Sequence, residues 1–178
     1  MKMRVFKNFK IKILTMAAIF MVFAGLSQAF AQESSIYRLQ SLFLYNFTKH
    51  VKWENESSAF TIGIYGSPAA FSEIKSNLES KIVWGKNINV IQINSAADVS
   101  TCNIAYLPKS NKKKIVDLLS SADFSNTLVV TEDDMMDDGA AISFVFEQSN
   151  MKFKISKAKI EQSGLKVSSS LLSMGIAV

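Results

Sequence analysis

Apolar residues in this chain repeat with two different periods, and the two periods take turns. Phe60-Thr61-Ile62-Gly63-Ile64-Tyr65 alternates as a strand and stops at Gly66-Ser67-Pro68, a turn that also suits a helix start. Residues 69–79 then place Phe71, Ile74 and Leu78 at helical spacing. Residues 87–93 alternate again, and Cys102 to Leu107 is a near-continuous apolar run, the mark of a strand covered on both sides. Pro108 ends it. A helix over residues 112–122 carries Ile115, Val116, Leu118 and Leu119, and residues 127–131 form a further short buried strand. Residues 141–146 and 152–155 flank a polar turn and read as an antiparallel hairpin. Ser156 suits the N-cap of a short helix ending at Gly164, and Leu165 and Val167 suggest one last strand. This order predicts an α/β fold: a single three-layer domain whose mixed, mostly parallel sheet is flanked by helices, receiver- or flavodoxin-like, with a C-terminal antiparallel hairpin.

The first helix, read over residues 36–53, carries more apolar surface than one sheet face covers. At 100° per residue, Leu42, Trp53, Leu39, Phe43, Ile36, Phe47, Val51, Leu44 and Tyr37 form an arc of roughly 220°. Opposite lies a stripe of Arg38, Lys49, Lys52, Tyr45, Ser41 and Thr48. Such a helix is either wedged between elements or shared with a second subunit or partner. Asn46 and His50 fall inside the apolar arc, so each needs a hydrogen-bond partner. His50 is expected to be a satisfied core or helix-end residue rather than a ligand or a base.

The N terminus gives an address. Lys2, Arg4, Lys7, Lys10 and Lys12 precede an apolar run from Ile13 to about Leu26, followed by Ala29-Phe30-Ala31 with Gln32 next. This is the pattern of a secretory signal peptide over residues 1–31, leaving a domain over residues 32–178 for the periplasm. The apolar run is short of the roughly 20 residues that a spanning helix needs; an uncleaved anchor is the competing reading. With no cysteine near the cleavage site, lipid anchoring is not expected. Of 20 Lys and Arg, five lie in this leader, together with none of the 15 Asp and Glu, so the remainder is balanced. A neutral domain whose only tight basic run is Lys112-Lys113-Lys114 lacks the cationic face of a nucleic-acid binder. The single cysteine, Cys102, sits in an apolar run and is expected to be a free, buried thiol, with an intermolecular bridge left open.

Catalytic constellations are hard to find. There is no Gly-x-Ser-x-Gly elbow, no Cys-x-x-Cys, no His-x-x-x-His and no Gly-x-Gly-x-x-Gly, and one histidine offers one base. The acidic loop from Glu132 to Gly139 is the best place for a hard cation, but its spacing matches no calcium loop. A receiver domain needs carboxylates at two strand ends that here read Tyr65-Gly66-Ser67-Pro68 and Leu107-Pro108-Lys109. No catalytic residue, metal or cofactor is expected, and the chain is read as a non-enzyme.

Seven stretches in order resemble the YfiR family of exported bacterial domains. They are Leu44-Tyr45-Asn46-Phe47-Thr48-Lys49-His50-Val51-Lys52-Trp53, Phe60 to Gly66, Cys102 to Leu107, Thr127 to Glu132, Gly139 to Phe144, Lys152 to Ser156 and Ser163 to Leu172. The best-known member is a periplasmic dimer that represses a membrane-bound diguanylate cyclase and is itself sequestered by an outer-membrane lipoprotein. The resemblance therefore implies a homodimeric regulator in cyclic di-GMP signalling. It would dock on the periplasmic part of an inner-membrane signalling protein, a cyclase or a histidine kinase. That member also uses intrachain disulfides, for which Cys102 has no partner in this chain, and position 50 is often hydrophobic where this chain has His50. Helix geometry alone nominates the docking surface: Arg38, Tyr45, Lys49 and Lys52 on the stripe, with Tyr37 and Leu44 at its border. The alternative is a periplasmic small-ligand-binding protein, using the crevice near Gly66-Ser67-Pro68 and Leu107-Pro108-Lys109.

Overall fold

Strand pairing follows the apolar runs. The structure, a computed structural model, describes residues 34–54, 59–109, 112–148 and 150–178. The leader expected over residues 1–31 lies outside the described residues. In chain order the elements are α1 (34–50), β1 (Val51–Lys52), β2 (Phe60–Tyr65), α2 (Pro68–Leu78), β3 (Ile82–Val83), β4 (Lys86–Ile93), α3 (Ala96–Val99) and β5 (Ile104–Leu107). There follow α4 (Lys112–Ser121), β6 (Leu128–Thr131), β7 (Ile142–Glu147), β8 (Asn150–Ile155), α5 (Lys157–Gln162), β9 (Lys166–Val167), α6 (Ser169–Met174) and β10 (Ile176–Ala177).

Eight strands make one sheet in the order β10-β8-β7-β6-β5-β2-β4-β3. Its centre, β4-β2-β5-β6-β7, is parallel throughout, while β3 and β8 are added antiparallel. That central order is the flavodoxin-like one, whose chain reverses direction of travel between β2 and β5. The expected mixed, mostly parallel sheet with a C-terminal hairpin is therefore the fold. On one face, Ile62 pairs with Ile104 and Ile64 with Tyr106, continuing to Leu128 and Val130 under α1, α2, α5 and α6. On the other, Ala105, Leu107 and Val129 pack with Val99 of α3 and with Ile115, Leu118 and Leu119 of α4. Burial of such rows stabilises by roughly 25 cal/mol per Å2 of apolar surface.

Two close approaches explain local sequence. Gly63 lies mid-strand where a Cβ would stand 2.5 Å from Cys102 Sγ and 2.9 Å from Ile93 Cγ2, so no side chain fits. Between β3 and β4 the two loop residues are Trp84 (φ 50°) and Gly85 (φ 77°), the left-handed pair that a type I′ hairpin demands.

Three expectations need correction. The first helix stops at residue 50, and Val51–Lys52 instead pairs antiparallel with β9, Val51 opposite Val167 and Lys52 opposite Lys166. The strand expected around Leu165 and Val167 thus joins a separate two-stranded sheet rather than the main one. Cys102 and Asn103 precede β5 as loop, because the Cys102 N–H closes on Val99 O at 3.0 Å.

Candidate functional site

The crevice expected at the carboxyl ends of β2 and β5 is filled on its β5 side. Tyr106 and Gln40 are both fully buried, and Tyr106 Oη donates to Gln40 Oε1 at 2.5 Å. Gln40 Nε2 has no hydrogen-bond partner among the described residues. Next to them the Lys109 N–H donates to Glu132 Oε2 at 2.6 Å, and the Glu132 N–H donates to Leu107 O at 3.0 Å. Burial raises the Glu132 carboxyl above its ordinary range; the Lys109 N–H opposes this, Asp133 adds to it, and the nearby Gln40 amide favours the ionised form. Burial also holds the Tyr106 phenol well above its ordinary value. On the β2 side, Ser67 caps α2 by accepting from the Ala70 N–H at 3.2 Å. The opening lies one strand over: a cleft of about 360 Å3 lined by Tyr65, Asn94, Ser95, Lys114, Asp117 and Leu118.

The acidic loop is tied down by cations of its own chain. Asp134 meets Lys154 at 2.6 Å, Asp133 meets Lys109 at 3.5 Å and Asp138 meets Lys112 at 3.7 Å. Thr131 Oγ1 and Ser143 Oγ lie 2.8 Å apart, and Ser143 Oγ accepts from the Met135 N–H. Among the described residues, no three His, Cys, Asp or Glu side chains converge as metal ligands.

His50 and Cys102 are both spent locally. His50 Nδ1 lies 3.2 Å from Ser168 Oγ and its carbonyl accepts from the Ser168 N–H at 2.9 Å, closing α1 against the start of α6. Cys102 is a buried free thiol whose pKa is raised by burial, with Sγ 3.6 Å from Asp98 O. Cys102 thus presents no nucleophile to solvent, while His50 is half-buried and held through Nδ1.

Helix α1 turns a different side to the sheet than its composition suggests. Tyr37, Gln40, Ser41, Leu44, Phe47, Thr48 and Val51 are buried, a spacing of three and four that defines one face. The two hydroxyls go inside because each bonds a carbonyl one turn back, Ser41 to Tyr37 O and Thr48 to Tyr45 O, both at 2.7 Å. Phe47 stacks in an aromatic group with Phe43, Phe144 and Phe153, ring centroids 5.2 to 6.3 Å apart. In exchange Leu39 and Leu42 face outward, 41% and 62% exposed. The nominated docking residues divide accordingly. Tyr37 and Leu44 belong to the core and not to the border of a surface, because they lie on the buried face. Arg38, Lys49 and Lys52 are exposed, and Tyr45 is half-buried, with Lys49 Nζ 4.3 Å above its ring.

A neighbour of this stripe escaped sequence reasoning. Tyr45 Oη donates to Ile82 O at 3.3 Å, which joins α1 to the β3–β4 hairpin. There Ile82 is 59% and Trp84 50% exposed, and the Trp84 ring rests 5.7 Å from that of Trp53. Lys75, Lys109, Lys112, Lys152, Lys154, Lys157 and Lys166 form ion pairs, whereas Arg38, Lys49, Lys52, Lys81 and Lys86 have none among the described residues. The signal for the hairpin was Gly85 at the second loop position between two short apolar runs.

Comparison with known proteins adds a family. The family model described as YfiR/HmsC-like matches residues 37–176. No curated protein matches the sequence. Among solved structures, an ABC domain from Streptococcus pneumonia in complex with L-Trp is similar at TM-score 0.50 and 16% identity, over 67% of this chain and 55% of that one. A conserved domain protein from Vibrio cholerae O1 biovar El Tor is similar at TM-score 0.53 and 15% identity, over 79% and 59%. The chain thus spans little more than half the length of either, and what it shares with them is an α/β fold.

Proposed function

The chain belongs to the YfiR/HmsC-like family, and from that premise we propose that it is a non-enzymatic periplasmic regulator acting by protein contact. Residues 1–31 direct export and are removed; residues 32–178 form the working domain. Its target is the periplasmic sensory part of an inner-membrane signalling protein, a diguanylate cyclase or a histidine kinase. Release by an outer-membrane lipoprotein and a homodimeric state complete the reading. No described helix is long and apolar enough to cross a membrane.

One observation carries the proposal. Tyr106 and Cys102 are buried inside the fold and His50 is held at Ser168, while α1 presents Arg38 and Lys49 outward beside Leu42, neither cation with an ion-pair partner among the described residues. Arg and aromatic residues around exposed apolar side chains are what contact energetics favour. With Tyr37 and Leu44 in the core, the contact residues are Arg38, Tyr45, Lys49 and Lys52, extended by Leu42.

A photo-crosslinking amino acid at position 38 or 49, activated in intact cells, tests this. Capture of an inner-membrane protein with a periplasmic sensory domain is the expected result. Capture of nothing, from a variant that is folded and exported, would overturn it.

The cleft beside Tyr65, Ser95 and Lys114 favours a second reading, a small-ligand-binding protein, since it opens at the carboxyl ends of β2 and β4. A metabolite that raises the melting temperature, with the gain lost in Lys114→Ala, would favour it.

A further inference from the structure

The β3–β4 hairpin holds an aromatic side chain in an unusual place. Trp84 occupies the left-handed region at φ 50°, which bulky residues rarely take, and stands at the tip of a two-residue loop. Backbone strain of this kind persists only where the surroundings enforce it, and here Trp53 and Phe60 grip one edge of the ring at 5.7 and 6.1 Å. The other half of the side chain remains in solvent, as does Ile82 two residues before it. Lys81 and Lys86 flank the loop, and Lys49 adjoins it through the Tyr45–Ile82 hydrogen bond. None of these three lysines meets a carboxylate among the described residues, although most lysines elsewhere do.

We propose that this hairpin rests on an anionic lipid surface, with Trp84 at the level of the headgroups and Lys49, Lys81 and Lys86 over them. Tryptophan seeks the boundary between water and hydrocarbon, where its ring is buried and its N–H stays wet. Lysines around a few apolar residues are the composition of elements that lie on charged membranes. A protein interface also takes tryptophan, but it is depleted of Lys, so the three lysines favour the lipid surface. The inference rests on the regulator reading only in placing the protein beside the inner membrane. With α1 docked on a membrane-anchored partner, the adjoining hairpin meets the bilayer.

The test uses protein secreted from the full coding sequence and purified from the periplasm, its N terminus checked by mass. It is floated with vesicles of phosphatidylcholine alone or with about 30% phosphatidylglycerol, with and without brominated acyl chains. Co-flotation with the anionic vesicles alone, weakened by salt, together with quenching of tryptophan emission that Trp84→Phe abolishes, is expected. The pair change Lys81→Glu/Lys86→Glu, at one exposed and one half-buried lysine, should lower partitioning roughly thirtyfold or more while leaving the protein folded in its melt. No flotation, equal flotation with neutral vesicles, or indifference to the pair change overturns the proposal. If vesicles recruit nothing but the pair change erases the crosslink to an inner-membrane protein, the hairpin belongs to a protein interface; the lipid proposal falls and the regulator reading stands. If flotation behaves as expected while no crosslink forms at position 38 or 49, the regulator reading falls and the lipid contact remains.

Discussion

The carboxyl ends of β5 and β6 and the outward stripe of α1 with the β3–β4 hairpin are both rich in polar side chains, and they use them differently. At the strand ends, Tyr106 bonds Gln40, Glu132 holds the Lys109 N–H, and Asp133 and Asp134 meet lysines. Along the stripe and hairpin, Arg38, Lys49, Lys52, Lys81 and Lys86 have no ion-pair partner among the described residues and stand among exposed Leu42, Ile82 and Trp84. Polar groups that answer one another inside a fold stabilise it, and in this cluster Gln40 Nε2 is left over, without a partner among the described residues. Groups left unanswered beside apolar surface are available to something else. The proposed action through contact rests on this contrast.

The sharpest way to break that contrast is to exchange the two sides of α1. Phe47→Glu puts a charge into a site with no exposure, and should cost about 3–5 kcal/mol or more and abolish cooperative melting. Leu42→Glu on the outward face should stay within about 0.5 kcal/mol of wild type. Circular dichroism melts of both decide it, and similar losses would mean that the outward stripe is core. Next in size is Gly63→Ala, which drives a Cβ into Cys102 Sγ and should cost about 1–3 kcal/mol. Adding Cys102→Ala should return part of it.

Within the strand-end cluster, Gln40→Leu should cost about 1–3 kcal/mol because it strands the buried Tyr106 hydroxyl. Placing Tyr106→Phe on top should recover most of that loss in denaturant unfolding, and additivity of the two would argue against the network. The smallest effect is electrostatic. Glu132 has a raised pKa, so the folded chain keeps a proton that the unfolded chain gives up between the ordinary glutamate range and the raised one. Its contribution to stability therefore falls as pH climbs through that window. Asp98 behaves oppositely: held low by the Asn94 N–H, the Ser95 hydroxyl and the Ser95 N–H, its contribution is lost as pH falls through its lowered value. Glu132→Gln should thus gain stability over wild type near neutral pH and lose that gain at about pH 4, read from unfolding midpoints. A gain that persists in acid would place the effect outside titration.

Much of the fold was legible because its main strands and helices are long enough to show a period. β2, α2, β4, α4 and the β7–β8 pair all lie within a residue or two of where their spacing predicts. The resemblance to YfiR proteins, built on stretches from Leu44 to Leu172, agrees with a family match over residues 37–176. What escaped were two-residue strands and short helices, which no periodicity can announce: β1, β3, β10, α3 and α6. The face of α1 was misjudged for a chemical reason. Ser41 and Thr48 look like surface residues until their hydroxyls satisfy the helix's own carbonyls and allow burial, and Leu39 and Leu42 then have only solvent to face. Tyr37 and Leu44 moved into the core with that rotation. Gln40 carried no signal at all, because a buried amide is recognised by the phenol it meets across 66 residues.

The most direct test of action through contact is the crosslink from position 49, made in cells and compared between the wild-type background and Arg38→Glu. The account predicts one dominant product with the sensory domain of an inner-membrane signalling protein, lost in Arg38→Glu while the melting temperature stays unchanged. An undiminished product in the variant, or no product from a folded, exported protein, would contradict it.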